Sequence, residues 1–151
     1  MVQGQWFAPG KALPGDVISV RHAVFGRSED ERDPLSWNAL IYSDGVPAAT
    51  GRIWWADDAY WLGDLCVLKA FRGQKIGDLL LRLLLFKAQS HAAREVRLIC
   101  PPDVAGFFSR LGFQAEPGPD PRSVLMLLPG DQIVLDSCRS CPKGNCPGRK
   151  E

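Results

Sequence analysis

Residues 72–77 read Arg-Gly-Gln-Lys-Ile-Gly, and these residue types at this spacing could hold a phosphate group. The segment lies between an apolar run and a helical pattern, so its backbone N–H groups would form a helix N-terminus, which carries roughly half a positive charge. Gly73 and Gly77 lack a Cβ, which lets the backbone turn tightly and approach a ligand. Arg72 can add a charge-assisted contact or hold the loop in place. The same glycines would also suit a turn that only joins a strand to a helix.

A second group of chemically active residues lies near the C-terminus, where Cys138, Cys141 and Cys146 follow one another closely. A CxxC pair with a nearby third cysteine suits a zinc knuckle or an Fe–S ligand set. A structural zinc needs four ligands, so Asp136, a distant cysteine or histidine, or a second subunit would have to complete the site. A redox-active or disulfide-forming tail, and a tail with free thiols, remain alternative interpretations.

Length and composition limit the class of protein. The chain has 151 residues, 46% of them hydrophobic and 23% charged, which suits one soluble domain with a single core. The formal net charge is +1 and no region is strongly basic, so nucleic acid is not an expected partner. No apolar run is long enough for a bilayer, and the N-terminus does not resemble a signal peptide. We therefore expect no membrane partner and a cytoplasmic location, and we leave a homodimer open.

The elements that would position these residues follow from hydrophobic periodicity. Strands are predicted at residues 37–42, 47–55 and 60–68, with turns at Asp44-Gly45 and Asp57-Asp58, which gives an antiparallel meander. Before them, residues 16–25 begin as an apolar alternation and pass into a short helix. The domain is expected to span residues 1–136, with residues 137–151 as a separate cysteine-rich tail.

The pattern changes after the meander to a helical spacing over residues 76–90. Residues 96–100 form a strand, which should lie parallel to the previous one because a helix connects them. Asp103 is expected to cap a short helix through Arg110, which Gly112 would end. Residues 116–121 are predicted as a loop and residues 124–128 as a final strand.

Several stretches together resemble the GNAT superfamily of acetyl-CoA-dependent N-acetyltransferases. The matching text is LGDLCVLKAFRGQKIGDLLL, then VRLIC and FFSRLGF, with RHAVFG and ALIYSDGVPAATGRI before them. The resemblance covers residues 16–128 and implies an α/β fold of the α+β type. Its mixed, mostly antiparallel sheet would be flanked by helices, and splayed central strands would bind coenzyme A. One position departs from the family pattern, because Lys75 replaces the middle glycine; a lysine fits there if it keeps an ordinary φ.

The resemblance also implies the residues that contact the coenzyme. The strand backbone would pair with the pantetheine arm, and N–H groups near Cys66 and Val67 would polarise the thioester carbonyl. The loop and helix start would bind the pyrophosphate. The implied binding set is Leu65, Cys66, Val67, Arg72, Gly73, Gln74, Lys75, Ile76, Gly77 and Phe108.

Asp64 is the carboxylate beside the implied acyl site, and we predict that it accepts the proton of the attacking amine, directly or through water. A structural hydrogen bond at a strand edge is the alternative role. Many family members carry a tyrosine acid at the position of Phe108, so this chain lacks that acid.

The sequence thus predicts transfer of an acetyl group from acetyl-CoA to a small-molecule or peptide amine, without a covalent enzyme intermediate. The alternatives are a non-catalytic acyl-CoA-binding regulatory domain and a metal or redox sensor that acts through the cysteine tail, with zinc or an Fe–S cluster bound there.

Overall fold

The computed structural model of the chain describes residues 1–10, 13–26 and 33–133. Within them lie seven strands and three α-helices: β1 (Val2–Phe7), α1 (Gly15–Phe25), β2 (Trp37–Ser43), β3 (Val46–Ala56), β4 (Ala59–Val67), α2 (Ile76–Ser90), β5 (Glu95–Cys100), α3 (Ala105–Ser109), β6 (Gln114–Pro117) and β7 (Val124–Pro129). The predictions for the cysteine tail and for a boundary after residue 136 lie outside the described residues.

The seven strands form one sheet in the order β1-β2-β3-β4-β5-β7-β6. Every neighbouring pair is antiparallel except β4 and β5, which are parallel because α2 connects them. The predicted turns are present, and their residues adopt the left-handed φ that tight hairpins require: 51° at Asp44 and 81° at Gly45. The meander of β2, β3 and β4 and the parallel β5 are thereby confirmed.

Helices cover both faces of the sheet. The leucines of α2 at positions 80, 81, 84 and 85 are buried in the main core against β2, β3 and β4. On the opposite face, Val17 and Val20 of α1 pack with Leu40 and Cys66. This arrangement confirms the predicted α/β class, with a mostly antiparallel sheet between helices.

Four local expectations are corrected. Residues 16–20 are helical from the first turn of α1, because Val17 and Val20 share its buried side. Residues 2–7 form an edge strand, β1, which the sequence did not predict. Part of the expected loop at residues 116–121 belongs to β6, which pairs with β7. Asp103 makes no capping hydrogen bond; it lies inside a short 3-10 turn that follows Pro101.

The centre of the sheet opens between β4 and β5. The two strands pair only at Tyr60–Val96 and Trp61–Arg97, so residues 62–67 continue beyond the paired region. The predicted splay of the central strands is therefore confirmed. No helix in the described part of the chain combines the length and the apolar composition that crossing a bilayer needs.

Candidate functional site

A cavity of about 750 Å³ lies where the end of β4 meets the start of α2 and one side of α3. Ligand sites usually enclose about 300–1,000 Å³, so its size suits a small molecule. Six of the predicted binding residues line it: Val67, Arg72, Gly73, Lys75, Ile76 and Gly77. Leu65, Cys66, Gln74 and Phe108 are not among its lining residues. The other lining residues, which lie outside the predicted binding set, are Phe71, Asp78, Arg82, Phe107, Arg110 and Leu111.

Cationic side chains dominate the charge of this cavity. Arg72, Lys75, Arg82 and Arg110 line it, against a single carboxylate, Asp78, which accepts a hydrogen bond of 2.7 Å from Arg82 Nε. Arg72 Nε donates to the carbonyl of Val67 at 3.0 Å, which ties the loop to the end of β4. The excess of positive charge around uncapped N–H groups of α2 is the environment that a phosphate anion requires.

Lys75 occupies the position immediately before α2, and its φ is 63°. The condition under which a lysine was expected to fit here, an ordinary φ, is therefore not met. The left-handed conformation costs a residue with a Cβ about 1–2 kcal/mol, because the Cβ approaches the following carbonyl oxygen. The loop thus needs the conformation that glycine adopts freely, although a lysine occupies the position.

We expect Lys75→Gly to raise the free energy of unfolding by roughly 1 kcal/mol, because glycine relieves this steric cost. Chemical denaturation of the variant and the parent measures the change. Lys87→Gly, inside α2, is the control and should lower stability by at least about 1 kcal/mol, because it also removes the contacts of the Lys87 ammonium with the rings of Trp6 and Trp37. A Lys75→Gly variant that is no more stable than the parent would contradict the strain at Lys75.

Gly77 keeps the wall of the cavity open at the first turn of α2. A Cβ placed on Gly77 would lie 3.6 Å from Val67 Cγ2 and 3.8 Å from Phe107 Cζ, which are ordinary contact distances. A side chain is therefore tolerated by the fold, but it would fill the space between β4 and α3. The open cradle, its N–H groups and its cations fit the pyrophosphate of a coenzyme.

Asp64 is buried at an irregular point of β4. Its φ is 51° and its side chain is 6% exposed. Its Oδ2 lies 3.6 Å from Arg21 Nε and 3.4 Å from a terminal nitrogen of Arg52. Sequence reasoning missed this pairing. The sequence offered one signal: β3 and β4 are otherwise uncharged neighbouring strands, and each contains one charged residue, Arg52 in β3 and Asp64 in β4.

The aromatic residues of α3 have different surroundings. Phe108 is buried in the core and contacts Phe107 and Phe113 at centroid distances of 5.2 and 5.8 Å. Phe107 is the residue that lines the cavity. Tyr42 donates a hydrogen bond to Asp16 at 2.9 Å, and this bond raises the pKa of the tyrosine. Phe108, the position at which the resemblance implies a tyrosine acid, is thus a packing residue of the core.

The two cysteines of the described region, Cys66 and Cys100, are free thiols buried in the core. Burial raises the pKa of Cys100, with a smaller contribution from Asp103. Residues 1–10, 13–26 and 33–133 contain no cluster of three or more residues that could ligate a metal. The proposed ligands Cys138, Cys141 and Cys146 lie outside these ranges.

Comparisons with known proteins agree with this geometry. The family model described as an acetyltransferase (GNAT) domain matches residues 37–115, more than half of the chain. No curated protein sequence matches the chain. Among solved structures, a putative N-acetyltransferase from Lactobacillus plantarum has a TM-score of 0.73 at 22% identity, over 85% of this chain and 97% of its own. Escherichia coli ElaA has a TM-score of 0.69 at 22% identity, over 84% and 99%.

A structure described as a GNAT family acetyltransferase from Elizabethkingia anophelis with acetyl-CoA bound has a TM-score of 0.67. It is 14% identical, and the match covers 85% of this chain and 97% of that protein. At these identities the likeness concerns the fold.

Proposed function

Because this chain belongs to the GNAT acetyltransferase family, we propose that it transfers an acetyl group from acetyl-CoA to the nitrogen of an amine by direct attack. The chain is an acyltransferase by family membership. The observation that carries the proposal is the cationic cavity at the N-terminus of α2, which has no side-chain cap. The cavity lies beside the end of β4, where β4 is not paired with β5.

The binding step uses the backbone of two elements. We assign the pyrophosphate to the N–H groups of residues 73–77, and the pantetheine arm to the part of β4 that has lost its pairing with β5. Arg72 supports the loop through its bond to Val67, and the remaining cations of the cavity screen the phosphate charge. Phe107, rather than Phe108, is the ring that would contact the bound coenzyme.

The chemical step forms a C–N bond and breaks a C–S bond. The lone pair of a neutral amine attacks the thioester carbonyl carbon, and the developing oxyanion is stabilised by backbone N–H near Cys66 and Val67 that faces the gap between β4 and β5. Collapse of this intermediate expels the thiolate of coenzyme A. A cysteine thiol, which is also an alkyl thiol, has a reference pKa of about 8.5, so a thiolate can depart without a dedicated acid, and water can return the proton.

The amine nitrogen must also lose a proton, and we propose that Asp64 receives it through an ordered water. Its side chain is only 6% exposed, so an amine cannot readily contact the carboxylate directly, and a bridging water would carry the proton to it. Nothing in this scheme requires a second copy of the chain, and a homodimer stays open. The location in the cell stays a prediction.

We expect the full chain to bind acetyl-CoA in calorimetry and to release free thiol with at least one amine in a panel of amino acids, peptides and polyamines. With that amine, Asp64→Asn should lower kcat by roughly 10²–10⁴-fold, the usual contribution of a general base. Asp58→Asn, in an exposed hairpin turn, is the matched control and should keep full activity.

Binding without thiol release on any amine would refute the transfer reaction. A fully active Asp64→Asn variant with an unchanged pH profile would remove Asp64 from the proton path, without affecting the assignment of the coenzyme.

A further inference from the structure

Four charged side chains form a cluster in the interior between α1 and the sheet, and we call it the buried ion cluster: Arg21, Asp33, Arg52 and Asp64. Their side chains are 0%, 4%, 2% and 6% exposed. Removing charges from water is costly, and apolar residues of similar volume often stabilise a core as well or better. A contribution to stability alone is therefore a weak explanation for four charges at this place.

The contacts of the cluster join five parts of the chain. Arg21 of α1 donates to Asp33 at 2.8 Å and to Asn38 of β2 at 2.6 Å. Arg52 of β3 donates to Asp33 at 3.1 Å. Both arginines also approach Asp64 Oδ2, at 3.6 and 3.4 Å. Asp33 therefore orients two guanidinium groups, and both of them face the same carboxylate oxygen on β4.

Asp64 lies at a β-bulge. Arg52 pairs with Gly63 and Thr50 pairs with Cys66, so Gly51 alone faces the two residues Asp64 and Leu65. The left-handed φ of 51° at Asp64 belongs to this bulge. A Cβ on Gly51 would approach Leu84 Cδ1 to 3.0 Å, which shows how tightly α2 covers the bulge from the other face.

The bulge coincides with the opening of the sheet. Pairing between β4 and β5 ends at Trp61, three residues before Asp64, and the proposed oxyanion donors of residues 65–67 follow directly. The direction in which their N–H groups point depends on the backbone of Asp64. Fixing the Asp64 side chain to α1 and β3 consequently fixes the donors.

We propose that the buried ion cluster positions the bulge, and that Arg21 and Arg52 thereby aim at the thioester carbonyl those N–H groups of residues 65–67 that face the gap between β4 and β5. Arg21, Arg52 and Asp33 are positioning residues, because they act through Asp64 and touch neither substrate. The proposal rests on the proposed function, since it concerns the same thioester. A displacement of about 1 Å at such donors can lower a rate by roughly 100-fold.

The test is isotope-edited infrared spectroscopy of acetyl-CoA carrying a ¹³C carbonyl, bound to the full chain. Hydrogen bonds to the carbonyl lower its stretching frequency, so the readout does not depend on knowing the amine. The variants are Arg52→Lys, which keeps the charge and loses the planar fork, together with Arg21→Lys and Asp33→Asn. Arg122→Lys, an exposed arginine in the loop between β6 and β7, is the matched control.

We expect the carbonyl frequency to be lower in the parent complex than in free acetyl-CoA, and equally low with Arg122→Lys. The folded cluster variants should still bind acetyl-CoA through the loop at residues 73–77 and should lose most of the lowering. Folded cluster variants that keep the full lowering would overturn the proposal. If none of the three folds, the cluster serves the fold itself, and the proposal is also overturned. Failure of the parent to bind acetyl-CoA would instead refute the proposed function.

Discussion

We expect Gly77→Asp to weaken the binding of acetyl-CoA by about 100-fold and to leave the fold intact. A carboxylate in the first turn of α2 would lie close to the bound pyrophosphate, and two unit charges about 5–6 Å apart repel by roughly 3 kcal/mol at an effective dielectric constant of 20. Isothermal titration calorimetry measures the change in Kd.

The same substitution should not harm the protein without ligand. A Cβ at Gly77 meets its neighbours at ordinary contact distances of 3.6 and 3.8 Å. An acidic residue in the first turn of a helix contributes about 0.3–1 kcal/mol of stability through the helix dipole. Thermal unfolding of the unliganded variant should therefore occur at the parent's temperature or above it.

Gly77→Asn is the matched control, because asparagine has nearly the same volume and no charge. It separates the loss of space in the cavity from the charge repulsion. Equal affinities of the aspartate and asparagine variants for acetyl-CoA would contradict a phosphate at this helix N-terminus.

We expect Arg52→Met to lower the free energy of unfolding by about 3–5 kcal/mol, the usual cost of removing one partner of a buried ion pair. Arg52 lies 3.1 Å from Asp33 and 3.4 Å from Asp64, so its removal leaves two buried carboxylates with Arg21 as their remaining guanidinium in the cluster. Urea denaturation followed by circular dichroism gives the difference in unfolding free energy.

A double-mutant cycle sharpens this result. Asp33→Asn combined with Arg52→Met should cost less than the sum of the two single substitutions, with a coupling of about 0.5–3 kcal/mol between contacting residues. Arg122→Met, at an exposed loop position, should stay within about 0.5 kcal/mol of the parent. Additive effects at Asp33 and Arg52 would show that the two side chains do not interact as the structure has them.

Much of the fold could be predicted because local signals agreed with one another. The leucine spacing of α2 gave its bounds, Ile76–Ser90, as the structure has them. The Asp-Gly turn fixed the hairpin of β2 and β3, since few other pairs adopt the required φ. The parallel position of β5 followed from the helix that precedes it.

The missed strands lack such local signals. β1 has mostly exposed side chains and a glycine, and it becomes a strand because β2 offers it an unpaired edge. β6 is exposed throughout and contains Pro117, which indicates a loop when read alone. Both are edge strands that form because they pair with a strand distant in sequence, β2 for β1 and β7 for β6. The hydrophobic periodicity of a segment contains no information about such a pairing partner.

The part of the site in which backbone N–H groups would bind the ligand could be predicted from the sequence. Glycines before an amphipathic helix indicated the phosphate cradle at residues 73–77, and these residues do line the cavity apart from Gln74. Arg110 was missed as a lining residue, and Phe108 was predicted in place of its neighbour Phe107, because only the packing of α3 beside α2 decides which side chains reach the cavity. The buried ion cluster was missed because Arg21, Asp33, Arg52 and Asp64 come together from elements that are far apart in sequence.

The central claim is that acetyl-CoA binds between β4 and α2, and amide chemical shifts in ¹H–¹⁵N correlation spectra test it most directly. During titration of the full chain with acetyl-CoA, the account predicts that the largest shifts occur at the amides of residues 65–67 and 73–77. Saturating shifts confined to other regions, or no shifts at millimolar coenzyme, would contradict it.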